Sequence, residues 1–139
     1  MHTFNLPFGK EKIKHRTAGR TGCPRPRFPS PHEYKAPKSE AELVADALAN
    51  PIGSPKLSDL AKGKKNCVII SSDHTRPVPS HVIMPQLLAE LRKGNPDIDI
   101  TILIATGMHR ATTKEELIAK YGKEIAEHEK FVIHVSRND

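Results

Sequence analysis

Two short blocks of the chain carry side chains whose types and spacing suit one kind of chemistry. The first is Ser71-Ser72-Asp73-His74-Thr75-Arg76-Pro77-Val78-Pro79, and the second is Ala105-Thr106-Gly107-Met108-His109-Arg110. Arg76 offers a planar fork that holds a carboxylate through two parallel hydrogen bonds. His109, an imidazole with a reference pKa of ~6.5, can take or give a proton near neutral pH. Asp73 can fix the tautomer of that imidazole or accept a hydrogen bond from a ligand hydroxyl. Gly107 lets the backbone turn tightly and a ligand come close. Pro77 and Pro79 stiffen the loop that presents Arg76. Simpler readings of the same residues stand beside this one. Asp-x-x-Arg in a loop is often a surface ion pair worth ~0–1 kcal/mol. Asp73 can equally well cap Thr75 or Arg76 in a turn, and a single histidine after a strand can be structural.

Both blocks follow apolar runs that read as buried strands, residues 66–71 and 98–105. A helix is expected from Pro79-Ser80, with Ile83, Leu87 and Leu91 four apart, Pro85 in its opening turns and Gly94 as a left-handed stop. Upstream, Ser39 and Glu42 have capping-box spacing, and Leu43, Val44, Ala47 and Leu48 share a face until Asn50-Pro51. Leu57–Ala61 reads as a short amphipathic turn. Thr112 or Thr113 can cap a third helix carrying Leu117, Ile118 and Tyr121, before a third strand over residues 131–135. Strand–helix–strand–helix–strand implies parallel pairing with right-handed crossovers. The expected fold class is therefore α/β: a Rossmann-like three-layer domain with a mostly parallel sheet, an N-terminal hairpin over residues 2–14 and a Pro/Arg-rich irregular segment. In such sheets ligands sit beyond the carboxyl ends of the strands. Neighbouring strands would then bring Asp73, Arg76 and His109 to one crevice.

Composition narrows the function classes. The 139 residues are 37% apolar and 4% aromatic, with no Trp, which disfavours an aromatic stacking platform for single-stranded nucleic acid. No apolar run approaches the ~20 residues of a membrane span, and the start MHTFNLPFGKEK lacks a secretory apolar stretch, so a cytoplasmic chain is expected. The net charge of +6 lies wholly in residues 1–38, where nine Lys/Arg face two Glu. That arm, whose His15–Pro37 stretch holds five of the twelve prolines, reads as a solvated irregular segment. An alternative function class is an anion or nucleic-acid-binding module using this arm by counterion release, though nucleic acid is the less expected partner. The division drawn is residues 1–38, hairpin plus basic segment, and residues 39–139, a partial α/β domain. His74 and His81 flank the first loop, and His134 is expected inside the third strand, facing a helix layer. His2, His15, His32 and His128 have no partners at metal-ligand spacing. Cys67 reads as packing in a strand, Cys23 is isolated, and no nucleotide-loop, zinc-protease or serine-hydrolase motif occurs.

Asn50-Pro51-Ile52-Gly53-Ser54-Pro55, then Ser72 to Pro79, then Ile104 to Arg110, in that order and spacing, resemble the N-terminal domain of the nickel-dependent lactate racemase family. Leu6-Pro7-Phe8-Gly9-Lys10 also resembles that family's start. The resemblance implies an isomerase, a racemase or epimerase of 2-hydroxy acids such as lactate. It implies proton-coupled hydride transfer to a nickel pincer nucleotide (nickel pyridinium bisthiocarboxylate mononucleotide). Arg76 matches the arginine that binds the substrate carboxylate, Asp73 the aspartate beside it, and His109 one of two histidines that exchange the hydroxyl proton. Asp73, Thr75 and Gly107 are the loop positions expected nearest the cofactor. No metal ligand is expected in this chain, because the family's second histidine, nickel histidine and anchoring lysine lie further along. The chain is thus expected to be an N-terminal fragment, inactive alone, whose missing portion an adjacent reading frame can supply. Residues 15–30 match the family's second strand and acidic linker poorly, which a local reading-frame slip would explain.

Overall fold

The computed structural model describes residues 2–8, 11–17 and 35–136. The chain divides into two units, residues 1–35 and residues 36–139. In the first, β1 (His2–Phe8) and β2 (Glu11–Thr17) pair antiparallel, in a register running from His2 opposite Thr17 to Phe8 opposite Glu11. The expected hairpin is present, and its second strand runs three residues past Lys14 into the stretch read as irregular. Pairing across to His2, Thr3 and Phe4 gives Thr17, Arg16 and His15 their ladder partners. The core of the basic segment, residues 18–34, with Cys23 and His32, lies outside the described residues.

The second unit is an α/β arrangement around three parallel strands in the order β3 (Asn66–Ser72), β4 (Asp99–Ala105), β5 (Lys130–Ile133). Alternate residues decide which face of this sheet is buried. Ile100, Ile102 and Ile104 of the central strand pack with Met84, Leu88 and Leu91 of α3 (Ser80–Gly94) and Leu117 and Tyr121 of α4 (Lys114–Tyr121). Ile102 and Ile104 are fully buried. The Tyr121 ring lies 5.2 Å from that of Phe131, tilted by 54°. Val68, Ile70 and Val132, on the alternate positions, are exposed, so β3, expected to be a buried strand, is covered on one face only.

The end signals read from the sequence are made. Ser39 caps α1 (Glu40–Ala49), with its Oγ accepting from the Glu42 N–H and the Glu42 carboxylate accepting from the Ser39 N–H. Thr113 and Glu116 form the same reciprocal pair at α4. Each such cap is worth about 1 kcal/mol. The short α2 covers Leu57–Ala61 as expected. α1 buries no residue fully, and only Val44 and Leu48 of its expected apolar face are half-buried.

Three expectations change. Gly94 is not in the left-handed region; the last turn of α3 closes through the Asn95 N–H to Leu91 O, and a Cβ at Gly94 would lie 1.9 Å from Ser58 O. The glycine is there because α2 crosses it closely. After Tyr121, Gly122 at φ +87° breaks the helix, and a separate α5 (Lys123–His128) follows. His134 stands beyond β5, where its N–H donates to Ile104 O and its carbonyl accepts from Thr106 Oγ1 at 2.5 Å.

Candidate functional site

The two loops leave the carboxyl ends of adjacent strands, since Ser72 of β3 is paired with Ala105 of β4. The loops therefore start side by side. After β4, the Thr106 carbonyl accepts from the His109 N–H at 3.0 Å, closing a turn whose second residue, Gly107, has φ +56°. A residue with a Cβ is strained there. That turn sends the His109 ring toward the first loop. Thr106 is itself buried and fixed through its hydroxyl to the His134 carbonyl.

Asp73 is the buried centre of the arrangement, at 2% exposure. Its Oδ1 accepts from the Thr75 hydroxyl at 2.7 Å and the Thr75 N–H at 3.1 Å, and its Oδ2 lies 2.5 Å from His109 Nδ1. The Thr75 hydroxyl, then the His109 ring, hold the Asp73 carboxyl well below the usual carboxylate range, against the opposing effect of burial. Thr75 Oγ1 also stands 3.4 Å from His109 Nδ1. The imidazole is thus gripped at Nδ1, with its side chain 45% exposed. A buried acceptor at Nδ1 selects the tautomer that leaves Nε2 as the reactive nitrogen.

Arg76 is exposed and turns the chain back on itself, its N–H donating to Asp73 O and its carbonyl accepting from Val78 N–H. Its guanidinium makes no hydrogen bond or ion pair to a described residue. Asp73, Arg76, Gly107 and His109 line one cavity of about 430 Å³, together with Ile70, Ser71, Ser72 and Met108. All three residues singled out for their chemistry therefore meet in one place. Of the readings left open for Asp73, its contacts are those of a turn cap and a tautomer anchor.

The other histidines lie elsewhere. His74 faces Thr112 Oγ1 at 3.3 Å and the Glu116 carboxylate at 3.6 Å. His81 lies with His74 on a second cavity of about 340 Å³, which Arg76 and Lys120 also line. His128 Nδ1 is 2.8 Å from the Glu124 carbonyl. Arg110 forks onto Glu116 at 2.9 and 2.5 Å and so serves the loop, not the cavity. Among the described residues no group of three or more His, Cys, Asp or Glu could hold a metal. Sequence reading missed Lys120 altogether. Its ammonium reaches Ser72 Oγ, Asp73 O and Arg76 O from across the sheet end, and a lysine in a last helical turn carries no signal of such contacts.

The model of the lactate racemase N-terminal domain matches residues 24–139. The chain belongs to this family. Its match takes in residues 24–38 as well as the α/β region, so part of the segment read as an interruption is family sequence. The lactate racemase of Thermoanaerobacterium thermosaccharolyticum is 49% identical over 140 residues, spanning 99% of this chain and 32% of that protein. The lactate racemase of Lactiplantibacillus plantarum is 58% identical over 106 residues, spanning 76% of this chain and 25% of that one. The structure of the lactate racemase apoprotein from T. thermosaccharolyticum superposes with a TM-score of 0.78 at 46% identity, covering 99% of this chain and 31% of that chain. This member of the family spans about a third or less of the relatives it matches. No helix among the described residues is long and apolar enough to cross a membrane.

Proposed function

We propose that this chain supplies the carboxylate-binding and one proton-transferring part of a lactate racemase. The observation that carries the reading is the shared cavity: Arg76, whose guanidinium has no partner among the described residues, and an imidazole anchored on a buried carboxylate line the same space. Arg76 grips the lactate carboxylate through its fork. That grip fixes the 2-hydroxyl against His109, whose Nε2 takes the hydroxyl proton as the carbon–oxygen bond gains double-bond character. Asp73, holding Nδ1–H, stabilises the imidazolium that results and keeps the ring aimed. In the reverse direction the same Nε2 returns the proton to the hydroxyl of the enantiomer that it serves.

The nickel nucleotide expected from the family resemblance supplies, when bound, the acceptor and donor of the α-carbon hydride. The residues present fit the edge of such a group. Gly107 leaves open space, with no heavy atom within 4 Å of where a Cβ would stand. The Thr75 hydroxyl is committed to Asp73. Gly107 and the Thr75 backbone are accordingly the positions along which the group can approach.

Titrating the chain with lactate, propionate and lactamide tests the reading. Lactate should bind with roughly millimolar affinity, about 4 kcal/mol, shifting the NMR signals of the His109 ring and the Arg76 side chain. Propionate, lacking the hydroxyl, should move Arg76 without His109, and lactamide should bind more weakly than either. Equal shifts from all three, or none from lactate, defeat it.

A further inference from the structure

Lysine in the last turn of a helix ordinarily reaches into solvent or back to the helix's own free carbonyls. Lys120 does neither. Its half-buried side chain turns across the end of the sheet, and its ammonium donates to Asp73 O at 2.6 Å, Ser72 Oγ at 3.0 Å and Arg76 O at 3.2 Å. An ammonium has three donors, and here all three are spent on one segment, 44 to 48 residues away in sequence. The neighbouring residue reinforces the attachment: Tyr121, 2% exposed, donates to Ser71 Oγ at 2.8 Å and stands 3.4 Å from Ser72 O.

The three acceptors bracket the chemistry. Asp73 carries the carboxylate that holds His109, and Arg76 carries a guanidinium with no partner among the described residues. Between them the backbone closes only through the Arg76 N–H to Asp73 O at 3.4 Å, a long bond. Two carbonyls drawn onto one cation set the pitch of that turn more firmly than the bond across it. We propose that Lys120 is a positioning residue: by gathering the Ser72, Asp73 and Arg76 oxygens onto one point, it sets the turn that aims Arg76 and keeps Asp73 under His109. Burial lowers the pKa of the Lys120 ammonium while the Asp73 charge opposes that shift. In its consequence for lactate the proposal rests on the function proposed above; in its consequence for loop geometry it does not.

The test compares wild type with Lys120→Met, which keeps the stem and removes the donors. Two readouts need no ligand: the ring ¹⁵N shifts of His109, which report its tautomer, and amide hydrogen exchange. Wild type should show the Nδ1–H form. Lys120→Met should show a tautomer mixture, and the Arg76 and Val78 amides should exchange about tenfold faster while Ile102 and Ile104 keep wild-type rates. Unchanged His109 shifts and loop exchange overturn the proposal, and so does acceleration spread evenly through β4, which is general destabilisation. Should Lys120→Met fail to fold, Lys120→Arg carries the comparison. Its planar fork does not gather three convergent acceptors, so the loop amides should again exchange faster against a steady β4, and wild-type rates there overturn the proposal. Lactate affinity should fall about tenfold in either variant, a 1.4 kcal/mol effect. A wild-type chain that binds no lactate defeats the proposed function, while the His109 and exchange readouts still decide the role of Lys120.

Discussion

Protonating Asp73 would strip the Thr75 hydroxyl and the His109 ring of their acceptor in a place that water barely reaches. The folded carboxyl resists this, its pKa lying below the ordinary range chiefly because of the Thr75 hydroxyl. Glu116 behaves alike, its pKa lowered to about 2 by the Arg110 fork and then the Thr113 N–H. For both groups the folded value lies under the unfolded one, ~3.9 for Asp and ~4.3 for Glu. Their contribution is therefore complete above those unfolded values and is lost as pH falls through the folded ones. The urea midpoint should accordingly be flat from pH 7 to about 5 and drop steeply between about 4 and 2. Asp73→Asn should flatten part of that drop, since the variant has no carboxyl to titrate there. A variant as acid-sensitive as wild type would mean that Asp73 contributes nothing to it.

Elements explain which parts of this were legible in the residues. Caps are local, so Ser39 with Glu42 and Thr113 with Glu116 could be read from spacing of three. The strands were legible because β4 carries Ile100, Ile102, Leu103 and Ile104 within seven residues, and adjacency of β3 and β4 followed from one crossover helix. That adjacency brings the loops that carry Asp73, Arg76 and His109 to one end of the sheet. What spacing could not show was contact between distant elements: Lys120 on the β3 loop, and α2 against Gly94. The two glycines that matter consequently fail differently. Gly94→Ala puts a methyl 1.9 Å from Ser58 O, and should cost about 1–3 kcal/mol as α2 is pushed away, with the His109 signals unmoved. Gly107→Ala meets nothing within 4 Å yet must hold φ +56°, costing roughly 1–2 kcal/mol by reshaping the turn that carries His109. Urea unfolding and the His109 ring signals separate the two. A Gly94 variant as stable as wild type would contradict the close crossing, and a Gly107 variant with native His109 signals would contradict the strained turn.

At the scale of the whole molecule, the cavity is lined by the residues proposed as one proton carrier and one carboxylate anchor, whereas the proposed racemisation requires both faces of a planar ketoacid to be served. The family relatives are about three times as long as this chain, and the proposed function leaves the opposing face to the region of those relatives beyond the match. The exposed Val68, Ile70 and Val132 leave the far side of the β3–β5 sheet apolar and open to a covering layer. A chimera with a longer relative decides the matter. The chain, at 49% identity, should replace the aligned third of the T. thermosaccharolyticum lactate racemase and yield an enzyme that interconverts D- and L-lactate when the nickel nucleotide is supplied. Within that chimera, His109→Asn should lower kcat by about 10²–10⁴, the usual worth of a positioned proton carrier, with KM little changed. Arg76→Lys should instead raise KM, because an ammonium cannot reproduce the two-point grip on a carboxylate. A chimera that folds, takes up the nickel nucleotide and leaves lactate untouched would break the functional assignment. One whose turnover survives His109→Asn would relocate the proton carrier.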